Sequence, residues 1–196
     1  MLKRILGKSK LEVSALGMGC WAIGGPWTWA QPGDEPFPAG WGDTDDEESI
    51  RAIHAALDMG VNFFDTAANY GAGHSEVVLG RALQGRRDKV VIATKFGHIV
   101  NEQEKTVYAD PDQIIKNVRT DVENSLRRLQ TDFIDIYQLH QGKYDPNWRW
   151  NCNLFWKSWY PQARSAGTDG ARIPSTAPAN SRAERIARIS PPSNSA

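Results

Sequence analysis

The sequence predicts an α/β fold: strands alternating with helices, preceded by a β-hairpin and followed by an irregular C-terminal tail. Three observations predict it. Apolar runs at residues 61–64, 90–94 and 133–139 each stop at a polar residue, and segments with helical periodicity separate them. The opening residues alternate on both sides of Gly7, Lys8 and Ser9, the pattern of a hairpin. From about Trp148 onward, aliphatic periodicity collapses.

In chain order, residues 14–21 follow the hairpin as a first buried strand, whose glycines let another backbone or a ligand come close. A long loop comes next, carrying Pro26, Pro32, Pro36 and Pro38 with Trp27, Trp29 and Trp41. Loops of this length in compact domains are functional or disordered, and a substrate-facing role is expected for at least one of the three tryptophans. Thr44 with Glu47 is a capping-box pattern that starts a first helix, and Asp45, Asp46 and Glu48 suit the positive end of its dipole. Ile50, Ile53, Ala56 and Leu57 form its apolar face and Gly60 stops it. A strand over 61–64 leads to Asp65. A second helix runs from about Ser75 to Gly85, with Val77, Val78, Leu79 and Leu83 inward. A strand over 90–94 leads to Lys95. Asp110 and Pro111 open a third helix as N-cap and first-turn proline, with Ile114, Ile115, Val118, Val122, Leu126 and Leu129 at helical spacing. The last strand, 133–139, leads to His140.

Bulk composition narrows the function classes. The 196 residues suffice for one ordinary domain. Lys and Arg number 23 against 23 Asp and Glu, so nothing asks for nucleic acid or an acidic membrane as partner. No apolar run is long enough to span a bilayer and no signal peptide is evident, so a soluble, cytoplasmic protein is expected. Cys20 and Cys152 offer neither a disulfide framework nor metal-ligand spacing. Oligomeric state is left open.

In alternating β/α architecture, side chains at the carboxyl ends of parallel strands converge on one face. Asp65, Tyr70, Lys95 and His140 sit at such positions. Together they have the chemistry to reduce a carbonyl, which needs a hydride on carbon and a proton on oxygen. Tyr70 is the candidate acid, but a free phenol holds its proton until about pH 10. A neighbouring ammonium, Lys95, stabilises the tyrosinate and eases proton release. Asp65 would keep Lys95 charged and oriented, and His140 would donate to the carbonyl oxygen and fix its angle. Each residue alone has a plain structural explanation: a wet tyrosine, a snorkelling lysine, a turn-forming aspartate, a packed histidine. Their shared strand-end placement favours the catalytic one.

Met18-Gly-Cys-Trp21, Asn62-Phe-Phe-Asp-Thr-Ala-Ala-Asn-Tyr-Gly71, Ser75-Glu-Val-Val-Leu-Gly80, Ala93-Thr-Lys95 and Asp135-Ile-Tyr-Gln-Leu-His140 resemble the aldo-keto reductases, closest to the bacterial branch related to potassium-channel β subunits. The resemblance covers about residues 1–142. It implies the N-terminal half of a (β/α)8 TIM barrel and NADPH-dependent reduction of small aldehydes and ketones to alcohols. The family's tetrad carries over as Asp65, Tyr70, Lys95 and His140. Gly19, Cys20 and Trp21, with Asp65, are expected beside the nicotinamide of NADPH or NADP; Cys20 departs from a common Thr.

The resemblance stops where the tail begins, which divides the chain into a reductase domain at 1–145 and a non-family tail at 146–196. The tail crowds Trp148, Trp150, Trp156 and Trp159 together and then turns to Ala, Arg, Ser and Pro, a composition expected to be disordered. Trp has one codon, and Asn, Cys, Phe and Lys have two each, so several residues of the shifted frame are forced. Trp150-Asn-Cys must begin Glu-Leu, Phe155-Trp-Lys must give Leu-Glu, and Trp159-Tyr160 must give Val. That is an amphipathic helix pattern where the barrel's next helix is due. A frameshift between about Asp145 and Trp150 is therefore expected to have replaced the second half of the barrel. Family residues for the nicotinamide face, the pyrophosphate and the 2′-phosphate belong to that half, so tight NADPH binding and full activity are not expected of this chain. Two rivals stand beside the enzyme: a non-catalytic module that senses nicotinamide, and an inactive truncated product.

Overall fold

The computed structural model describes residues 1–141 and a two-residue strand, Ile173–Pro174. The expected tail, with its tryptophan cluster, its boundary at 145 and the reading-frame shift, otherwise lies outside the described residues.

The elements follow in order. Strands β1 (Lys3–Leu6) and β2 (Leu11–Ser14) form the expected hairpin, in register from Lys3↔Ser14 to Leu6↔Leu11. Next come β3 (Met18–Gly19), β4 (Trp27–Trp29), β5 (Phe37–Ala39), helix α1 (Asp46–Asp58), β6 (Phe63–Asp65) and helix α2 (His74–Ala82). Then follow β7 (Val91–Phe96), β8 (Ile99–Asn101), β9 (Thr106–Tyr108) and helix α3 (Ile114–Leu129). The last are β10 (Phe133–Ile134), β11 (Ile136–Leu139) and β12 (Ile173–Pro174). No helix among the described residues is long and apolar enough to cross a membrane.

Four strands make a parallel sheet in the order β11-β7-β6-β3. Side chains alternate across it, because successive residues of a strand point to opposite faces. Phe64 and Ile92 join Ile53, Val78, Leu79, Val122 and Leu126 of the helices in the main core. Phe63, Val91, Ala93 and Ile136 face the other way and pack against Leu6, Leu11 and Val13 of the hairpin. The hairpin thus covers one end of that face, and the strands' carboxyl ends lie beyond it.

The helix caps obey the expected logic with one shift. Asp45, not Thr44, is the N-cap of α1, and its carboxylate accepts the Glu48 N–H at 3.0 Å. The cap therefore sits one residue later, because a carboxylate competes well for an N-terminal donor. At α3, Asp110 accepts the Asp112 N–H and Pro111 opens a 3-10 turn that runs into the helix. A buried pair ties helices to sheet: Arg128 Nε donates to Glu76 at 2.7 Å, and Thr94 Oγ1 donates to the same carboxylate at 2.5 Å.

Three expectations change. The first strand is two residues long rather than a buried run: Met18 is half-buried and Gly19 exposed, since among the described residues β3 has a neighbour on one side only, β6. The strand over 133–139 breaks at Asp135, whose buried carboxylate accepts the Ile92 N–H at 3.0 Å and Arg87 Nη2 at 2.7 Å. The proline-rich loop is partly ordered: β4 and β5 pair with each other, and β4 pairs in parallel with β9, giving a side sheet in the order β5-β4-β9-β8. Pro38 is tolerated because β5 is an edge strand.

Candidate active site

Period-two alternation places the site residues. Asp65 shares the face of Phe63, Lys95 that of Val91 and Ala93, and His140 continues the phase of Ile136 one step past β11. Register brings them level: Asp65 pairs with Ala93 and Gly19, and Gln138 with Lys95. Beyond the strand ends the ladder persists. Thr66 N–H donates to Ala93 O at 2.9 Å, Ala68 N–H to Lys95 O at 3.1 Å, and His140 N–H to Phe96 O at 2.8 Å. The segment carrying Tyr70 is therefore bound to β7 rather than loose.

Lys95 is the hub. Its ammonium, side chain 14% exposed, donates to Asp65 Oδ1 at 2.5 Å, Thr66 O at 2.8 Å and Tyr70 Oη at 3.2 Å. Three donors meet three acceptors, so the ammonium is satisfied without water. Because the Tyr70 oxygen accepts from Lys95, its own proton is free to be given elsewhere.

His140 closes the group from the β11 side. Its ring meets Tyr70 edge-on, centroids 5.7 Å apart, and its Nδ1 lies 3.0 Å from Asn69 Oδ1. Burial first, then the Lys95 charge, hold its pKa below the usual histidine value, so the ring is neutral at neutral pH. The four residues expected at one site are thus brought together.

The expected cofactor-side residues divide. Gly19 is exposed, and nothing lies within 4 Å of where a Cβ would stand, so a flat ring can approach the backbone here. Trp21 is 45% exposed and lies 6.0 Å from Tyr70, centroid to centroid, with Trp41 edge-on behind it at 5.4 Å. Cys20 turns away: its side chain is fully buried in the main core, and only its backbone, donating to Asp65 O at 2.8 Å, borders the site.

The loop tryptophans also divide. Trp27 is a core residue, 8% exposed, packed with Ala72 and Val107, and it cannot face a substrate. Trp29 reaches His98 at 5.5 Å, and His98 reaches His140 at 5.3 Å. Asn69 and His98 were not singled out from sequence. Their polar types beside Tyr70 and after Gly97 were visible, but nothing local marks them as neighbours of His140. Among the described residues, no cluster of three or more His, Cys, Asp or Glu could hold a metal ion.

The model of the Aldo/keto reductase family matches residues 15–155. The chain is 42% identical over 132 residues to Aldo-keto reductase YhdN of Bacillus subtilis, covering 66% of this chain and 35% of that protein. It is 38% identical over 154 residues to the NADH-specific methylglyoxal reductase of Escherichia coli, covering 74% and 44%. Among solved structures, aldo-keto reductase AKR11C1 from Bacillus halodurans in its holo form is similar with a TM-score of 0.62 and 35% identity, over 81% of this chain and 47% of that one. An aldo-keto reductase from Klebsiella pneumoniae in complex with NADPH is similar with a TM-score of 0.59 and 27% identity, over 83% and 47%. The chain spans less than half the length of these curated relatives.

Proposed function

Because this chain belongs to the aldo/keto reductase family and carries the N-terminal half of its (β/α)8 barrel, we propose that the described site is the acid–base centre of a nicotinamide-dependent carbonyl reductase. The observation that carries the proposal is the ammonium of Lys95 held between Asp65 and Tyr70. When bound, the nicotinamide supplies the hydride to the carbonyl carbon. Tyr70 gives its proton to the carbonyl oxygen, and Lys95, 3.2 Å away, stabilises the phenolate that forms. Asp65 holds Lys95 in place, and His140 orients the substrate from the β11 side.

We take residues 1–145 as the catalytic-domain portion and NADPH or NADP as the cofactor, with Gly19, the Cys20 backbone, Trp21 and Asp65 bordering the nicotinamide. Open space beside Gly19 fits such a ring. Solved relatives in complex with NADPH and NADP support this choice, while the E. coli relative is named NADH-specific. Parallel assays with both cofactors decide between them. The substrate class is a small aldehyde or ketone.

Tyr70→Phe in a full-length version that restores the second half of the barrel tests the chemistry. It should lower carbonyl-dependent oxidation of NADPH by on the order of 10²–10⁴-fold, the usual contribution of a general acid. The circular dichroism spectrum should stay that of the parent. Unchanged turnover would refute the reductase assignment.

A further inference from the structure

His98 stands one residue past Gly97, whose φ of +113° turns the chain out of β7. The turn is tied to the end of β11: His140 N–H donates to Phe96 O at 2.8 Å, and the Gln141 side chain donates to Gly97 O. The His98 ring lies edge-on to His140, centroids 5.3 Å apart, with Trp29 edge-on at 5.5 Å. Burial, and then His140, hold its pKa at about 4, so at neutral pH the ring is neutral, with one N–H donor and one bare acceptor. Neither ring nitrogen has a hydrogen-bond partner among the described residues. A bound substrate displaces the water that would serve them, and an unpaired polar group then costs binding.

A carbonyl oxygen has two lone pairs. With Tyr70 and His140 both donating to it, a simple aldehyde or ketone leaves His98 nothing to bond. An oxygen on the next carbon stands beside the reacting one, within reach of the neighbouring ring.

We propose that His98 is a specificity-determining residue that selects carbonyl substrates bearing a second oxygen, hydroxyl or oxo, on the carbon next to the reacting one. The inference rests on the reductase reading. His98 donates to that second oxygen, or accepts from it, while Tyr70 and His140 hold the first. Trp29 backs the ring from the side sheet. No step of hydride or proton transfer passes through His98.

Hydroxyacetone and butanone test this, since they differ by a hydroxyl in place of a methyl on that carbon. In the full-length version that restores the second half of the barrel, kcat/KM is measured for both with whichever reduced nicotinamide the parent uses. His98→Phe keeps an aromatic ring and removes both nitrogens. Its hydroxyacetone-to-butanone ratio should fall about tenfold from the parent's, the worth of one net hydrogen bond. His98→Gln keeps a donor and an acceptor and should recover part of the ratio. A ratio taken within one variant does not depend on how much of that variant is folded. With oxidised cofactor bound, so that no turnover occurs, hydroxyacetone should shift the ¹⁵N signals of the His98 ring and butanone should not. An unchanged ratio in His98→Phe, or equal shifts from the two ketones, overturns the proposal. If His98→Phe fails to fold, the parent's ¹⁵N shifts decide. A folded parent that reduces neither ketone overturns the reductase reading and this inference with it. Reduction of both at a ratio that His98→Phe leaves alone rejects this inference only.

Discussion

Cys20 lies in sequence between two residues that border the site, yet its thiol belongs to the core. Burial, and after it the nearby Asp65 carboxylate, push its pKa up to about 12. Native protein treated with iodoacetamide near neutral pH should leave the Cys20 peptide unlabelled by mass spectrometry, with full labelling only after unfolding. Rapid native labelling would show that the side chain faces out. At this scale, the legible residues were those whose positions follow from the strand period. Asp65, Lys95 and His140 each end an apolar run, so one rule put all three on one face. The inward turn of the Cys20 side chain was not legible, because a two-residue strand gives alternation nothing to propagate along. Asn69 and His98 became meaningful only through their distance to a residue about 71 and 42 positions away respectively.

Elements meet through glycines where the turn holding Tyr70 presses on the 3-10 turn Ala22–Gly24. Gly71 has φ +62, and a Cβ there would stand 1.9 Å from Gly24 O, inside backbone that cannot yield cheaply. Gly71→Ala should therefore cost at least about 2 kcal/mol in urea unfolding. A variant within about 0.5 kcal/mol of the parent would mean that the two turns do not pack this way. The Arg128–Glu76 pair makes a similar demand between α2 and α3. Arg128→Met leaves a fully buried carboxylate without its cation, and a loss of about 3–5 kcal/mol is expected by the same measurement. Helices and parallel strands were legible because their signals are local. The side sheet was not, because β4 pairs in parallel with β9, a partner drawn from a different loop. Dense prolines around Trp27 masked what little alternation that segment has.

Over the whole molecule, two groups give opposing pH dependences. Burial raises Asp121 from 3.8 to about 6, with Arg128 pulling down and Glu76 pushing up. Its protonated form is favoured in the native state, so its contribution is complete below 3.8 and is lost as pH rises through about 6. Burial, and then His140, lower His98 from 6.5 to about 4. Its contribution is complete above 6.5 and is lost as pH falls through about 4. Urea midpoints across this window should fall less steeply with rising pH in Asp121→Asn and less steeply with falling pH in His98→Gln. A profile parallel to the parent's in either variant would remove that residue from the account. The side sheet carries a consequence of another kind. Trp29 comes from β4, outside the parallel frame that holds Asp65 and Lys95, while His98 stands where β7 of that frame passes into β8 of the side sheet. The side sheet and the parallel sheet are therefore separate hydrogen-bonded units that meet at His98. Such a division lets a lineage, or a protein engineer, exchange the loop that bears Trp29 while the frame that holds Asp65 and Lys95 stays fixed.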